Sequence, residues 1–393
     1  MALKTQLYDY HEKNGKLIEF VGFSLPVWYK GIIPECMATR TSLGIFDVSH
    51  MGRVSISGEE AENFLNYVIT NDLSPLSDYK ALYSVMCNEN GGIIDDLTVV
   101  RLGKNSFLLI YNASNRKKDF SWLKQNSSKF KVELEDISDR VAMIALQGSN
   151  AQATLEGLCG EDLSKVARFG ASEISIEGNK CLISRTGYTG EDGFEIFVYD
   201  APVENPWRAS KVWNSILEAG KEFGISPCGL GARDVLRLEA GMCLYGNDID
   251  ESTTPLEARL KFVVKFDKTE FIGKAALAKQ MEEGIEKVRV GLMLLERGIP
   301  RAGYDIVVDG QLVGKVTSGT ASPTLNRGIA MGYVQKDYSK EETHLGIRIR
   351  ERLVKAKVVK LPFYQRRVRD KIIYLGNEYP FSKWKELGLN LTP

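Results

Sequence analysis

The stretch Asn88-Glu89-Asn90-Gly91-Gly92-Ile93-Ile94-Asp95-Asp96-Leu97 sets a Gly-Gly turn against an apolar run carrying two adjacent carboxylates. Neighbouring residues on a strand point to opposite faces, so Asp95 shares a face with Leu97 and Val99, and Asp96 with Thr98 and Val100. Both faces carry apolar side chains, so at least one carboxylate looks inward, and the pattern does not choose between them. A carboxylate there is costly unless it meets a donor or a cationic ligand. A pair of turn-capping aspartates fits the same spacing.

Outward from this stretch, Leu97 to Arg101, a turn at Gly103-Lys104-Asn105 and Ser106 to Tyr111 spell a hairpin. Upstream, Arg53 to Ser57 alternates with period two and ends at Gly58. The segment from Glu59 to Thr70 then puts Phe64, Leu65, Val68 and Ile69 on one helical face. Downstream, Lys117 to Gln125 predicts a helix with Phe120 and Leu123 inward. Val141 to Leu146 predicts a buried strand running into a turn and helix cap at Gln147-Gly148-Ser149-Asn150. Val212, Trp213, Ile216 and Leu217 recur at helical spacing, with Gly224 at the stop, and Gly273 to Gly284 gives another short helix. From Val288 to about Val359 short strands dominate, with an Asp309-Gly310 hairpin turn, which predicts a small all-β C-terminal domain. Strands and helices mix without a βαβ repeat, so the class is α+β.

The chain has 393 residues, with 51 Lys+Arg against 51 Asp+Glu, and 44% hydrophobic residues. That is a globular composition, long enough for about two to three domains. Zero net charge argues against a protein that coats nucleic acid. Six cysteines are scattered with no C-x-x-C pair, as in a reducing cytoplasm, and the three histidines make no zinc spacing. No metal is expected. No apolar run approaches the ~18 residues of a membrane helix, and Met1 to Thr5 lacks an apolar signal core. The expected location is cytoplasmic.

Three further segments carry chemistry. Ser184 to Glu195 holds Gly187, Gly190 and Gly193, which permit a tight loop with backbone close to a ligand. Tyr188 offers a flat face, and Glu195 could accept from an amino-pyrimidine edge. An ordinary Gly-rich turn fits equally well, and the Lys-Ser/Thr ending of a phosphate loop is missing. Gly229-Leu230-Gly231-Ala232-Arg233-Asp234 lacks the third glycine of a dinucleotide fingerprint and reads as a helix start. Arg233 could fork onto a carboxylate or heterocycle, or simply pair with an aspartate at the surface. Lys355, Lys357, Lys360, Arg366, Arg367, Arg369 and Lys371 form a basic run, either a solvated strand face or a patch for an acidic tail or partner.

Together, Phe46 to Gly52, Tyr83 to Asp96, Ser184 to Glu195, Gly229 to Asp234 and Leu244-Tyr245-Gly246-Asn247-Asp248 resemble the aminomethyltransferase, or T protein, family of the glycine cleavage system. The motifs run in order from near the N-terminus to Arg369. The resemblance implies three domains in a clover-leaf arrangement around a central folate channel, the first two interleaved and the third a C-terminal all-β barrel-like domain. The expected boundaries are 1–51 plus 140–247, 52–139 plus 248–284, and 285–370, with 371–393 as an extension. It further implies that Asp96 is catalytic and that Met51, Tyr83, Asn112, Tyr188, Glu195, Arg233 and Arg369 line the tetrahydrofolate site. Arg369 rests on Pro362-Phe363-Tyr364 alone. The implied partner is the lipoylated H protein, whose lipoyl group carries the aminomethyl substrate. The methylene passes to tetrahydrofolate and ammonia leaves. A folate-dependent demethylase and a non-catalytic folate-binding regulator on the same fold remain as alternatives. The latter kind carries a reactive Cys in a loop that here reads Arg185-Thr186-Gly187-Tyr188.

Overall fold

The computed structural model describes residues 2–368, the strands Lys371–Tyr374 and Asn377–Pro380, and Glu386. The motif strand Ile93–Gly103 is the second of a five-stranded antiparallel sheet. Its order is Lys80–Cys87, Ile93–Gly103, Ser106–Tyr111, Gly52–Ser57 and Glu133–Asp136. The helix Ala61–Val68 buries Phe64, Leu65 and Val68 against this sheet, and Ile69 follows into the same core. The helix Arg116–Ser127 adds Leu123, fully buried, and Phe120, half-buried.

A second sheet of six strands runs Ala171–Ile176, Asn179–Ser184, Gly193–Val198, Ala142–Gln147, Gly44–Asp47 and Ser226–Pro227. Only the last pairing is parallel. The helices Ala151–Cys159 and Trp207–Ala219 cover it, and Trp213 and Ile216 sit in the shared core with Ile144 and Leu146. Asn150 holds the expected cap position, but its amide bonds the Ser42 hydroxyl instead of the helix.

The third unit is a closed six-stranded barrel over Lys287–Leu294, Arg327–Gln335, Gln311–Ser322, Asp305–Val308, His344–Ile349 and Arg352–Val359. Its hairpin turns at Asp309 (φ 48°) and Gly310 (φ 81°), the left-handed pair that a two-residue turn demands. The fold is therefore mixed α and β with a C-terminal β-barrel. The first two sheets draw on alternating parts of the chain. The helix Leu230–Glu239, which starts at Gly229, packs between the strand Phe23–Trp28 with the helix Ile32–Thr41 on one side and the barrel strand Gln311–Ser322 on the other. No helix among the described residues is long and apolar enough to cross a membrane.

Candidate active site

The two sheets and the barrel enclose an open cavity of about 1520 Å³. The Gly-Gly turn aims Asp96 into it. Asn88 Oδ1 accepts from the Asn90 and Gly92 backbone N–H groups, both at 3.0 Å, so an asparagine, and neither aspartate, caps this turn. Gly91 takes φ 84°, and a Cβ on Gly92 would lie 2.0 Å from the Glu251 carbonyl oxygen. Register then decides the question the pattern left open. Asp96 pairs with Val85, so Tyr83 is its diagonal neighbour on the same face. Asp95 points the other way and is completely buried.

Asp96 Oδ2 accepts from the Tyr83 hydroxyl at 2.9 Å, and Oδ1 accepts from the Asn112 amide at 2.7 Å. Burial pushes the Asp96 carboxyl up to about 7, helped by the Asp95 charge and opposed by those two donors. Asn112 lines the cavity, but its amide is engaged with Asp95 and Asp96. Phe262, largely exposed, stacks on Tyr83 with centroids 6.5 Å apart and forms part of the cavity lip.

Across the cavity stands the loop Ser184 to Glu195. A Cβ on Gly187 would sit 2.0 Å from Gln147 Oε1, and Gly190 takes φ 82°. The glycines thus let backbone close tightly against the neighbouring strand, and Tyr188 and Glu195 come to the wall. The Tyr188 hydroxyl donates to the Cys243 carbonyl. The Arg233 guanidinium lies over the Tyr188 ring, 4.6 Å from its centroid. Among the described residues the Arg233 guanidinium has no hydrogen bond or ion pair, and the Glu195 carboxylate meets only the Thr186 hydroxyl, through one oxygen. Asp234 pairs with Arg237 at 2.7 Å, not with Arg233. Burial lowers Arg233, opposed by Tyr188 and Glu195, and burial raises Glu195. An unpaired guanidinium and a carboxylate with a spare oxygen, facing one hollow, make a receptor for a planar ligand with both donors and acceptors.

Met51 lines the same cavity. The structure therefore brings together Asp96, Met51, Tyr83, Asn112, Tyr188, Glu195 and Arg233. Arg369 lies outside the described residues. Within the basic run, Lys355 and Lys360 are exposed, Lys357 pairs with Glu342 at 2.9 Å, and Arg366 pairs with Asp192 at 2.8 Å on the cavity wall. One wall residue had no expected role. His50 is buried, perpendicular to the Phe20 ring and tilted against that of Phe23, its Nδ1 unpartnered, and burial with the nearby Arg233 holds it down at about 3. It lay within the Phe46 to Gly52 motif, but its burial depends on Phe20 and Phe23, far upstream.

Two family models match in tandem. The GCVT N-terminal domain covers residues 7–268, and the glycine cleavage T-protein C-terminal barrel domain covers 287–365. The chain is 46% identical over 365 residues to an aminomethyltransferase of Thermoanaerobacter pseudethanolicus, spanning 92% of this chain and 98% of that protein. It is 47% identical to one from Caldanaerobacter subterraneus subsp. tengcongensis, spanning 92% and 96%. The crystal structure of glycine cleavage system aminomethyltransferase T from Bartonella henselae superposes with TM-score 0.86 at 34% identity, covering 93% of this chain and 99% of that one. Fold and site define a cavity enzyme of two interleaved sheets and a barrel. The chain belongs to the aminomethyltransferase, or T-protein, family of the glycine cleavage system.

Proposed function

We propose that the chain moves the methylene of an aminomethyl group, held as a thioether on the lipoyl arm of the H protein, to tetrahydrofolate, with release of ammonia. The observation that carries this is the Asp96 carboxyl on the wall of a cavity whose far side holds Arg233 and Glu195 with unspent hydrogen-bonding capacity. The fit is chemical. A reduced pterin has an amino-pyrimidine edge of N–H donors, a carbonyl oxygen and a flat ring. Glu195 accepts from the edge, Arg233 donates to the oxygen, and Tyr188 and Met51 wall the ring. Bound tetrahydrofolate supplies the nucleophilic nitrogen.

The remaining work falls to the protein. Tyr83 and Asn112 each occupy one oxygen of Asp96 and hold its plane, while lone pairs remain for a ligand N–H. A carboxyl near 7 exchanges a proton efficiently around neutral pH. The relatives' shared name favours this reaction over demethylation or a non-catalytic role. Six unpaired cysteines support residence in a reducing cytoplasm. The same reading divides the chain into 1–51 plus 140–247, 52–139 plus 248–284, and 285–370.

The test is the reverse reaction. Methylene-tetrahydrofolate, ammonia and reduced lipoyl H protein are incubated with the enzyme, and the H protein is weighed by mass spectrometry. Gain of an aminomethyl group is expected. Asp96→Asn should slow it by about 100-fold or more. An H protein of unchanged mass with the wild-type enzyme overturns the proposal.

A further inference from the structure

Behind Asp96, on the opposite face of its strand, lies a second acidic cluster that the aminomethyl transfer does not use. Asp95 accepts from the Asn112 backbone N–H at 3.0 Å, the Asn112 amide at 2.8 Å and the Asp96 backbone N–H at 3.0 Å. Asp119, on the helix Arg116–Ser127, is completely buried and sets its carboxyl against that of Asp95. No N–H or hydroxyl among the described residues reaches either Asp119 oxygen. The adjacent Lys118 spends its ammonium elsewhere, on the Ile94 carbonyl, the Tyr245 hydroxyl and Glu251. Two ionised carboxylates cannot sit side by side in such a place without a counter-charge, whereas one shared proton turns the repulsion into a hydrogen bond.

We propose that Asp119 is a standing acid that donates its O–H to Asp95, leaving one negative charge on the pair, and that this charge, relayed by the Asn112 amide, positions Asp96 and sets the pH at which it titrates. The proposal rests on Asp96 being the proton-handling group. Asp95 and Asp119 are positioning residues, since neither lines the cavity. The Asn112 amide is the link, because its nitrogen bonds Asp95 Oδ1 at 2.8 Å and Asp96 Oδ1 at 2.7 Å.

The surroundings agree. Burial, then Asp95, push Asp119 up to about 11, and burial raises Asp95 against the opposing pull of Asp119 and Asn112. Lys118 pulls Asp119 down, and Tyr111 and Tyr245 face the pair as neutral phenols. Asp96 itself is faced by Asp95 on its own strand, Tyr83 from the neighbouring strand, Tyr188 from the glycine loop and Cys243 from the segment after the helix Leu230–Glu239. Of these only Asp95 brings a charge at neutral pH, and across the cavity stand the oppositely charged Glu195 and Arg233.

Two measurements separate this proposal from the functional one. Infrared spectra of the resting enzyme at about pH 9, above the Asp96 range, should show the C=O stretch of an un-ionised carboxylic acid that shifts in heavy water. Asp119→Asn should abolish it. Its absence from the wild type overturns the proposal, whatever the enzyme catalyses. The pH profile of H-protein-dependent turnover is the other measurement. Asp119→Asn replaces the O–H by an amide N–H donor and should move the acid limb by less than about 0.3 unit. Asp95→Asn removes the charge and should move it to lower pH by about one unit or more. Equal limbs in Asp95→Asn and wild type, or equal displacement in both variants, overturns the proposal. The infrared result stands without Asp95→Asn, should that variant not fold. A wild type with no turnover at all refutes the functional reading and leaves the infrared test intact.

Discussion

Adjacent on one strand, Asp95 and Asp96 meet different surroundings: Asp95 is sealed under Asn112, whereas Asp96 faces Glu195 and Arg233 across the cavity. The division of labour this implies separates affinity from turnover. Glu195→Ala should weaken tetrahydrofolate binding by about tenfold or more, the worth of a hydrogen bond to a charged group. Asp96→Asn should change it by only a few-fold. Calorimetric titration of both variants checks the contrast, and unchanged affinity in Glu195→Ala removes that residue from the pterin site. The acid limb of turnover should lie near pH 7, because Asp96 must lose its proton to accept one. His50 acts on stability instead. It stays neutral in the fold down to about 3, while in the unfolded chain it protonates near pH 6.5. The unfolded state therefore binds the proton first, and stability is lost as pH falls through the window between those values. In His50→Gln the urea midpoint should depend less on pH across that window than it does in the wild type.

Elements were legible wherever a short-range pattern dictates them. The hairpin around Gly103, the helix bearing Phe64 and Leu65, the Asp309-Gly310 turn and the helix start at Gly229 all follow from turn chemistry and periodicity within about a dozen residues. What pairs with what did not. The two-residue strand Ser226–Pro227 joins its sheet beside Gly44–Asp47, and no local pattern announces a pairing across that span. The cap by Asn88 was also hidden, since the nearby aspartates offered the same chemistry. Glycines give two opposed predictions at this scale. Gly92→Ala pushes a methyl into the Glu251 carbonyl and should cost about 1–3 kcal/mol by denaturant unfolding, with lost turnover as Asp96 shifts. Gly157 lies in the helix Ala151–Cys159, with no atom beyond its chain neighbours and its own helix backbone within 4 Å of an added Cβ. Gly157→Ala should therefore stabilise by about 0.5–1 kcal/mol with activity intact.

Across the whole molecule, the barrel is held to the rest through charged groups that sequence spacing could not pair. Arg40 bonds Glu239 at 2.7 Å and Glu191 at 2.8 Å, and Thr324 of the barrel reaches Glu239 at 3.0 Å. Arg237, on the same helix as Arg233, bonds Asp248 at 2.6 Å and the barrel's Ser318 at 2.8 Å. Asp248 in turn accepts from Ser318 at 2.9 Å and from the Leu244 backbone N–H at 2.9 Å. The helix that presents Arg233 to the cavity is thus anchored by the groups that fasten the barrel. Removing one partner of such a pair leaves a buried charge, so Arg237→Met should destabilise by about 3–5 kcal/mol. Adding Asp248→Asn should recover part of that loss, because the stranded charge disappears. Of the five tryptophans, Trp384 lies outside the described residues, and Trp28, Trp122, Trp207 and Trp213 all lie outside the barrel strands, so those four report on the part of the molecule outside the barrel. In the wild type, calorimetry and fluorescence should report one common transition. In Arg237→Met the calorimetric peak should split, with fluorescence following only one part, because the barrel then melts on its own. A single transition at the wild-type temperature would mean that the network adds nothing to the union of barrel and sheets.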